Sequence, residues 1–465
     1  MPPRRTSVVP RVPIATLALL TACASTSPRV SQRTVDDLVA ARGPHAVAWQ
    51  ADAAADSAIE ARVARLLEGE LDGDSAVVVA LLRNPELRIV LEDVGIARAD
   101  LVQAGLLRNP LLSLARQPGT TTSFVMQGYG LTLPFLDLLQ RPLRRRVAAA
   151  QLRATEQRVA SEVIALVART RIAYADARAA RELAGLRASI AAATAASAQT
   201  AQALHAAGNI PDLDLAAEQA LASQAAADLR VARANAVVAR QELARLMGRA
   251  RDDTTWQVPE RSPLPDSDSL AFGRMDSLAV MQRLDLAAAA LDAEAAGRAA
   301  GLTRRFALLP DGQLGVEWAD EPDGQFLGPA LTIPLPIFDQ GRPAIATAQA
   351  RFRQAVRRHE ALRIDALAEV RARRETLLAL RERALRLRRE VVPLRARVVE
   401  ESQKQFNAMN LSVFTLLLAK QAEIEAAAQS VEALRDYWVA RAELERAVGG
   451  TFTPRVAPGD ASRSR

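Results

Sequence analysis

The sequence has few cysteine, histidine or aromatic residues. Its 465 residues include 1 Cys, 3 His and 6 Met, and aromatic residues make up 4% of the chain. A single cysteine excludes an internal disulfide framework and a cysteine-rich metal site. The sequence also has no glycine-rich phosphate loop, no nucleophile elbow and no paired metal-ligand spacing. It therefore predicts a protein that is not an enzyme and that holds no metal or other cofactor.

Long apolar runs and large apolar side chains are also scarce. No run of about 18 or more apolar residues occurs, so no transmembrane helix is expected and any membrane crossing would be made by strands. Hydrophobic residues make up 49% of the chain, but much of this share is alanine. Alanine is the best helix former and permits close approach of helices. The composition therefore favours long, thin helical packing over a thick globular core.

The charges are balanced between the two signs. The chain has 60 Lys and Arg against 53 Asp and Glu, a formal charge of +7, and nearly all of its basic residues are arginine. A mixture of this kind is typical of helices with charged, solvated faces. Arginine runs such as 144–146 have no interleaved aromatic residues and no nucleic-acid motif around them. No nucleic-acid partner is expected.

The N-terminal residues resemble a bacterial lipoprotein signal. Three arginines precede a short apolar stretch at 14–20, and the sequence Leu-Thr-Ala-Cys that follows is similar to a lipobox ending at Cys23. The resemblance predicts a signal peptide at 1–22 and a lipidated segment at 23–74 that begins with Cys23. Ala24 after the cysteine suggests delivery to the outer membrane. The alternative is an ordinary signal peptide with an accidental cysteine.

The remaining sequence repeats itself at a spacing of about 200 residues. Three pairs of segments correspond: 131–134 with 331–334, 141–142 with 342–343, and 241–248 with 442–449. They predict one repeat at 75–250 and a second at 275–450. A linker rich in Pro, Ser and Asp at 251–274 joins the repeats, and a disordered tail at 451–465 follows them.

Each repeat is predicted to contain a helix, two strands, a very long helix, a tip and a return helix. The first helices are expected at 75–107 and 276–303. Pro142 and Pro343 are expected in the first turns of the long helices, and Pro393 is expected to kink or break the second one. The predicted strands are 111–117, 123–133, 313–320 and 325–335.

The return helices and the strands both indicate association. The first return helix has apolar residues three and four apart, as in the seam of a coiled coil, at Leu229, Ala232, Ala236, Ala239, Leu243 and Leu246. Two isolated hairpins are only marginally stable in water. Several protomers could combine their strands into one closed barrel without an edge strand in lipid. An oligomer is therefore predicted.

Taken together, these segments resemble the TolC family of outer-membrane efflux proteins over nearly the whole mature chain. The matching motifs are 84–87, 103–110, 331–342 and the two tips at 208–215 and 410–417. The resemblance implies a mainly α, TolC-like protein with a small β part: long coiled helices form an α-barrel, and four strands per protomer contribute to a 12-stranded barrel in a homotrimer. It further implies an outer-membrane location in a Gram-negative-type bacterium, with the helices in the periplasm.

The resemblance also implies a function. It predicts a passive duct for metal ions or small toxic compounds, which an inner-membrane pump supplies through a periplasmic adaptor. The segments 405–409 and 433–438 are similar to members associated with heavy-metal, particularly copper, resistance. The alternatives are a lipid-anchored periplasmic coiled-coil scaffold or adaptor, and a duct for drug or type I protein export.

The two tips are the candidate sites, since they would close the periplasmic entrance until an adaptor splays them. Family members often place carboxylates there in a ring that attracts cations. In this chain the tip residues are Gly208, Asp212, Asp214, Met409, Asn410, Ser412 and Thr415. Asp212 and Asp214 could instead cap a helix after Pro211. In the second tip, Thr415 and Leu418 occupy the positions where acids are expected.

Three further interpretations concern single residues near the tips and in the last helix. Either Met409 or Asn410 replaces the glycine of the second tip, and Met409 is interpreted as a packing residue rather than a soft-metal contact. His205 is interpreted as a lone exposed polar residue rather than a pH sensor. Tyr437 and Trp438 have core spacing and are expected to be structural.

Overall fold

The computed structural model describes residues 27, 29–43, 47, 49, 53–118, 125–249, 256–265, 275–321 and 324–451. The proposed signal peptide, Cys23 and the tail beyond Thr451 lie outside these ranges. The described chain is mainly helical with a small sheet. None of the described helices is long and apolar enough to cross a membrane.

The elements follow the predicted order twice. The helices are α1 (Arg29–Ala40), α2 (Ala53–Leu66), α3 (Gly73–Arg83), α4 (Pro85–Ala104), α5 (Leu136–Ala206), α6 (Asp212–Leu246), α7 (Met275–Gln282), α8 (Leu284–Phe306), α9 (Arg342–Arg386), α10 (Val392–Asn407) and α11 (Val413–Val448). The strands are β1 (Gly69–Glu70), β2 (Leu111–Pro118), β3 (Val125–Pro134), β4 (Trp256–Gln257), β5 (Gln313–Glu321) and β6 (Gly324–Thr332).

The first helix of each repeat is broken in two, so the continuous helices predicted at 75–107 and 276–303 were wrong. Asn84 separates α3 from α4: its side-chain oxygen accepts a hydrogen bond from the N–H of Leu87 at 2.8 Å, and its amide donates to the Leu246 carbonyl at 2.8 Å. Arg283 separates α7 from α8 and donates to the Ala447 carbonyl at 3.1 Å. The end of each return helix therefore docks into the break, a long-range contact that a local pattern does not reveal.

The prolines have different positions in the two long helices. α5 has 71 residues, roughly 105 Å, and begins at Leu136, so Pro142 lies inside it and its predicted first-turn position was wrong. Pro343 does lie in the first turn of α9. A kink or break was predicted at Pro393: the α-helix is interrupted there by a π-helical turn at Leu387–Val391, through which the backbone stays helical, and α10 begins with Pro393 in its first turn. The wider turn accommodates a ring that would clash with an ordinary helix.

Four strands form one antiparallel sheet in the order β2-β3-β5-β6. The predicted strands are confirmed to within a few residues, except that β6 ends at Thr332, before the prolines at 334 and 336. The two hairpins, one from each repeat, join through β3 and β5. β2 and β6 are thus the outer strands.

Long helices extend from this sheet in alternating directions. Next to the sheet, α4, α5, α8 and α9 contact one another in that order, while farther away α5 contacts α6 and α11, and α11 contacts α9 and α10. Small residues dominate these contacts, as the composition predicted; Leu243 of the predicted seam is fully buried. Tyr437 is 1% exposed, and Trp438 donates to the Pro263 carbonyl at 3.0 Å, so their structural role is confirmed.

Candidate functional site

One face of the sheet is apolar and uncovered. Residues paired directly across antiparallel strands point to the same side, and the register places these on one face: Leu112, Leu114, Tyr129, Leu131, Leu133, Leu314, Val316, Trp318, Leu327, Pro329 and Leu331. Leu114 is 69% exposed and Leu327 76%. A contiguous patch of this kind marks a surface that contacts another protein or lipid.

The apolar face ends in a row that contains two aromatic residues between two leucines, and a polar row follows it. Tyr129 and Trp318 are cross-strand partners with ring centroids 5.4 Å apart. One step closer to the hairpin turns, the row consists of Arg116, Gln127, Asp320 and Gln325. Aromatic side chains prefer the boundary between lipid and water, so the order of rows matches that of a membrane-facing strand.

The opposite face is made of small and polar residues. Apart from Leu111 and Phe326 near the strand ends, its described side chains are Ser113, Ala115, Gln117, Gly128, Gly130, Thr132, Pro134, Gln313, Gly315, Glu317, Ala319, Gly328, Ala330 and Thr332. Glu317 is the one charged residue among them. Its cross-strand neighbours are Gly130 and Gly328, and no ion pair to it occurs among the described residues. Its carboxylate therefore faces open space.

Both outer strands leave backbone groups unpaired. β2 has 8 residues and β6 has 9, and within the described chain each has a partner on one side only. An unpaired edge is a template for another strand. Another strand can therefore pair with the sheet at either edge, beside β2 or beside β6.

A cluster of four charged residues joins the sheet to the helices. The Asp137 side chain is completely buried at the start of α5. It accepts hydrogen bonds from Arg108 Nε at 2.9 Å and Nη2 at 3.0 Å, and from Arg144 Nη1 at 3.3 Å. Arg108 also binds Asp311 at 3.0 Å, which connects the two repeats. Burial alone would raise the pKa of Asp137, but the hydrogen bonds from Arg108 and the charges of Arg144 and Arg108 together hold it below its usual range.

The first tip is a Schellman turn with a side-chain link across it. Gly208 has φ +74°, and its N–H donates to the His205 carbonyl at 2.8 Å. Pro211 occupies the N-cap position of α6, so Asp212 and Asp214 lie in the first turn and the capping alternative for them was wrong. His205 Nε2 lies 2.6 Å from Asp212 Oδ1. His205 is therefore not the lone polar residue that was expected.

The second tip repeats this turn with a methionine in place of glycine. Met409 has φ +63°, and its N–H donates to the Phe406 carbonyl at 2.9 Å. Met409, and not Asn410, is thus the counterpart of Gly208. Its side chain is 94% exposed, so it packs against nothing within the described protomer, and packing against a tip of another copy stays a prediction. Ser412 caps α11 by accepting the N–H of Thr415 at 3.2 Å.

The strained turn at Met409 gives a first testable prediction. A non-glycine residue in the left-handed region costs about 1 kcal/mol or more, and little contact is lost on removing an exposed side chain. We expect Met409→Gly to stabilise the tip by about 1 kcal/mol, which would slow hydrogen exchange of the Asn410 amide roughly fivefold. Gly208→Ala is the matched control with the opposite sign, because a Cβ there meets nothing within 4 Å and only strain is added. Unchanged exchange in both variants would contradict the assignment of strain.

Sequence reasoning missed Glu317 and Asp137. The alternation in β5 carried a signal for Glu317, since every second residue of 313–319 is small or polar. The sequence around Asp137 carried no such signal, because an acidic residue near the start of a helix is common. Its partners Arg108 and Arg144 lie outside the first turn of α5. Of the predicted tip residues, the structure brings together those within each tip. Whether any of them lines a pore stays a prediction.

Together, the long paired helices and the two-faced sheet define the TolC-like architecture that the sequence predicted. No protein-family model and no curated protein matches the sequence. Solved structures do match in fold. A membrane protein from Pseudomonas aeruginosa has a TM-score of 0.68 at 22% identity, with 84% of this chain and 92% of that chain covered.

Two channels have the same fold. The CmeC outer membrane channel of Campylobacter jejuni has a TM-score of 0.70 at 16% identity, with 81% of this chain and 85% of that chain covered. The MtrE outer membrane channel of Neisseria gonorrhoeae, in its open state, has a TM-score of 0.66 at 20% identity, with 81% and 89% covered. At these identities the likeness concerns the fold.

Proposed function

We propose that this protein is the outer-membrane channel of a tripartite efflux system. The observation that carries the proposal is the sheet, which has an exposed apolar face, a small and polar opposite face, and two open edges. A four-stranded sheet of this kind is unstable alone in either water or lipid, because one face avoids water and the edges avoid hydrocarbon. Association of several sheets removes both costs.

Three copies would close the sheets into a 12-stranded barrel. β6 of one copy would pair with β2 of the next, the apolar face would contact lipid, and the small, polar face would line a water-filled lumen. The helices would continue this lumen into the periplasm as an α-barrel. The similar fold of outer-membrane channels supports this assembly.

Conduction in this proposal is passive, and the partners supply the cargo. An inner-membrane pump would deliver metal ions or small toxic compounds through a periplasmic adaptor, and the adaptor would splay the tips at 208–214 and 409–415. The same duct would serve drug or type I protein export, since the pump selects the cargo. A lipid-anchored scaffold or adaptor is the second candidate, but it would have no use for an exposed apolar sheet face.

Location, lipidation and size can be tested together. We expect palmitate labelling of cells to mark an outer-membrane protein that has the mass of three protomers in detergent and conducts ions in planar bilayers. Cys23→Ser should abolish the label, which tests the lipid anchor separately from the channel. A labelled monomer that leaves the membrane when the lipid is removed would contradict the channel and support the scaffold.

A further inference from the structure

Two basic cavities lie where the inner helices α5 and α8 approach the sheet. The first has a volume of about 560 Å³ and is lined by residues of α5, and the second has a volume of about 540 Å³ and lies between α5 and α8. Arg146 lines both, so the two cavities adjoin. No acidic residue occurs among their described lining residues. The arginines that line them are Arg141, Arg145, Arg146, Arg298 and Arg305.

Four of these five arginines have no counter-charge. Within the described residues, no ion pair or hydrogen bond is made by the guanidinium groups of Arg141, Arg145, Arg146 and Arg305. Arg298 is paired with Glu294, one turn away on the same helix, and donates to the Arg146 carbonyl at 2.9 Å. Arg141 and Arg145 are four residues apart on α5, and like charges at this spacing destabilise a helix. An anion bound among these arginines would therefore stabilise this part of the protein.

Exposed apolar side chains lead from the sheet to these cavities. The apolar face of the sheet, from the row of Tyr129 and Trp318 to the row of Leu133, is about 13 Å long, whereas membrane barrels have an apolar band of about 25 Å. Leu138 and Leu139, at the start of α5, are 53% and 60% exposed, and Leu138 lines the first cavity. Apolar residues are thus followed by arginines, the order expected where hydrocarbon gives way to lipid headgroups.

The cavities lie on the side of α5 that α1 covers farther from the sheet. Four residues of α5 recur three or four positions apart and therefore form one stripe: Arg145, Ala149, Arg153 and Glu156. Arg145 and Ala149 line the first cavity, and Glu156 is buried beside Ser31 of α1. Arg153 binds Glu294 at 3.5 Å, and Glu294 binds Arg298 of the second cavity. The arginines of both cavities and α1 therefore share one side of the helices.

The proposed lipid anchor belongs to this side as well. Cys23 precedes the start of α1 at Arg29 by six residues, which span at most about 20 Å when extended. Along α5, Glu156 beside α1 is 11 residues, or about 16 Å, farther from the sheet than Arg145. A lipid on Cys23 would therefore reach the level of the cavities, which places them at the same membrane leaflet on the outside of the proposed duct.

We propose that the two cavities bind the phosphate group of an anionic phospholipid in the periplasmic leaflet of the outer membrane. Guanidinium groups bind phosphate oxygens through paired, charge-assisted hydrogen bonds, and basic pockets between helices suit lipid headgroups. The phosphate would lie beside Arg146, which both cavities share, and an acyl chain would run along Leu138 toward the sheet. Because α5 and α8 are the inner helices, association of copies through β2 and β6 leaves the cavities open. The inference rests on the proposed function and adds a lipid ligand to it.

Lipid retention, measured by native mass spectrometry, tests the site. The detergent-solubilised protein is mixed with equal amounts of phosphatidylglycerol, which is anionic, and phosphatidylethanolamine, which has no net charge. We expect it to retain phosphatidylglycerol preferentially. Arg146→Gln/Arg305→Gln removes one exposed arginine from each helix and should weaken this retention by on the order of tenfold. Equal retention of the two lipids by the unmodified protein, or unchanged retention in the variant, would overturn the proposal.

Arg230→Gln/Arg233→Gln is the matched control. Both arginines are exposed on α6 and make no ion pair or hydrogen bond within the described chain. They lie at the level of Ala180 of α5, roughly 65 Å from the start of that helix. The control loses the same charge far from the sheet and should retain as much phosphatidylglycerol as the unmodified protein. An equal loss in the control would mean that retention follows net charge alone, and the site would be wrong.

Two further measurements distinguish the lipid from a free anion, and this inference from the proposed function. Millimolar inorganic phosphate should leave the bound lipid in place, since it cannot contact Leu138 as an acyl chain does; displacement by phosphate would overturn the lipid as the ligand. Mass in detergent and conductance in planar bilayers are measured on the same samples. If the protein is trimeric and conducting but shows no preference for phosphatidylglycerol, the site is wrong and the channel stands. If the unmodified protein is monomeric and does not conduct, the proposed function fails as well.

Discussion

Replacing Asp137 with alanine is expected to destabilise the protein by about 3 kcal/mol. The Asp137 carboxylate is fully buried, and removing one member of a buried ion pair typically costs about 3–5 kcal/mol, because the partner loses its hydrogen bonds and its counter-charge. Arg108 is 53% exposed and can turn toward water, so the lower end of that range applies.

Guanidinium unfolding of the detergent-solubilised protein, followed by circular dichroism in both directions, would measure this loss. Asp311→Ala is the matched control, since Asp311 binds the same arginine at 3.0 Å but is 43% exposed. An exposed ion pair contributes about 1 kcal/mol or less. Equal losses in the two variants would show that the buried position of Asp137 does not matter.

The same cluster makes the stability of the folded protein depend on pH, and the sign of this dependence follows from the pKa of Asp137. The folded-state pKa of Asp137 lies below its ordinary value of 3.8. A depressed pKa means that the carboxylate contributes its stability above the unfolded-state pKa, and that this contribution is lost as the pH falls through the lower, folded-state value. We therefore expect Asp137→Asn to lose less stability than the unmodified protein when the pH is taken below 3.8.

The sequence predicted the elements that depend on local chemistry. The strands are bounded by turn residues and were predicted correctly to within a few positions, and Pro393 follows a π-helical turn because its ring excludes an ordinary α-helical turn. Asn84 and Arg283 were harder, because what breaks the helices there is the end of a return helix more than 160 residues away in the chain. Local patterns do not contain that contact.

At the tips, the local sequence predicted where each turn lies but not its backbone conformation. The sequence placed a turn at both, yet the left-handed conformation of Met409 and the His205–Asp212 link depend on how two helices meet in space. A methionine carries no signal for positive φ, whereas Gly208 does. The two faces of the sheet were predictable in part. The alternation of residue types along each strand predicts that two different faces exist, but only the register of the strands shows which residues share a face.

Replacing Glu317 with lysine is expected to shift the ion preference of the channel toward anions. In the proposed barrel Glu317 lies on the lumen face between two glycines, so three copies would form an acidic ring that no neighbouring side chain covers. Rings of charge at a pore wall set ion preference, and each surface charge acts over about 10 Å at 0.1 M salt. Reversing three charges at one level should lower the cation-to-anion permeability ratio roughly threefold or more.

Reversal potentials in a salt gradient across planar bilayers would measure the ratio. Asp320→Lys is the matched control: it lies three residues along the same strand, in the polar row of the opposite face. It adds the same charge outside the proposed lumen and should leave the ratio unchanged. A shift with Asp320→Lys but not with Glu317→Lys would mean that the apolar face lines the interior, and the barrel as proposed would be wrong. A shift with Glu317→Lys alone would establish which face of the sheet the permeating ions meet.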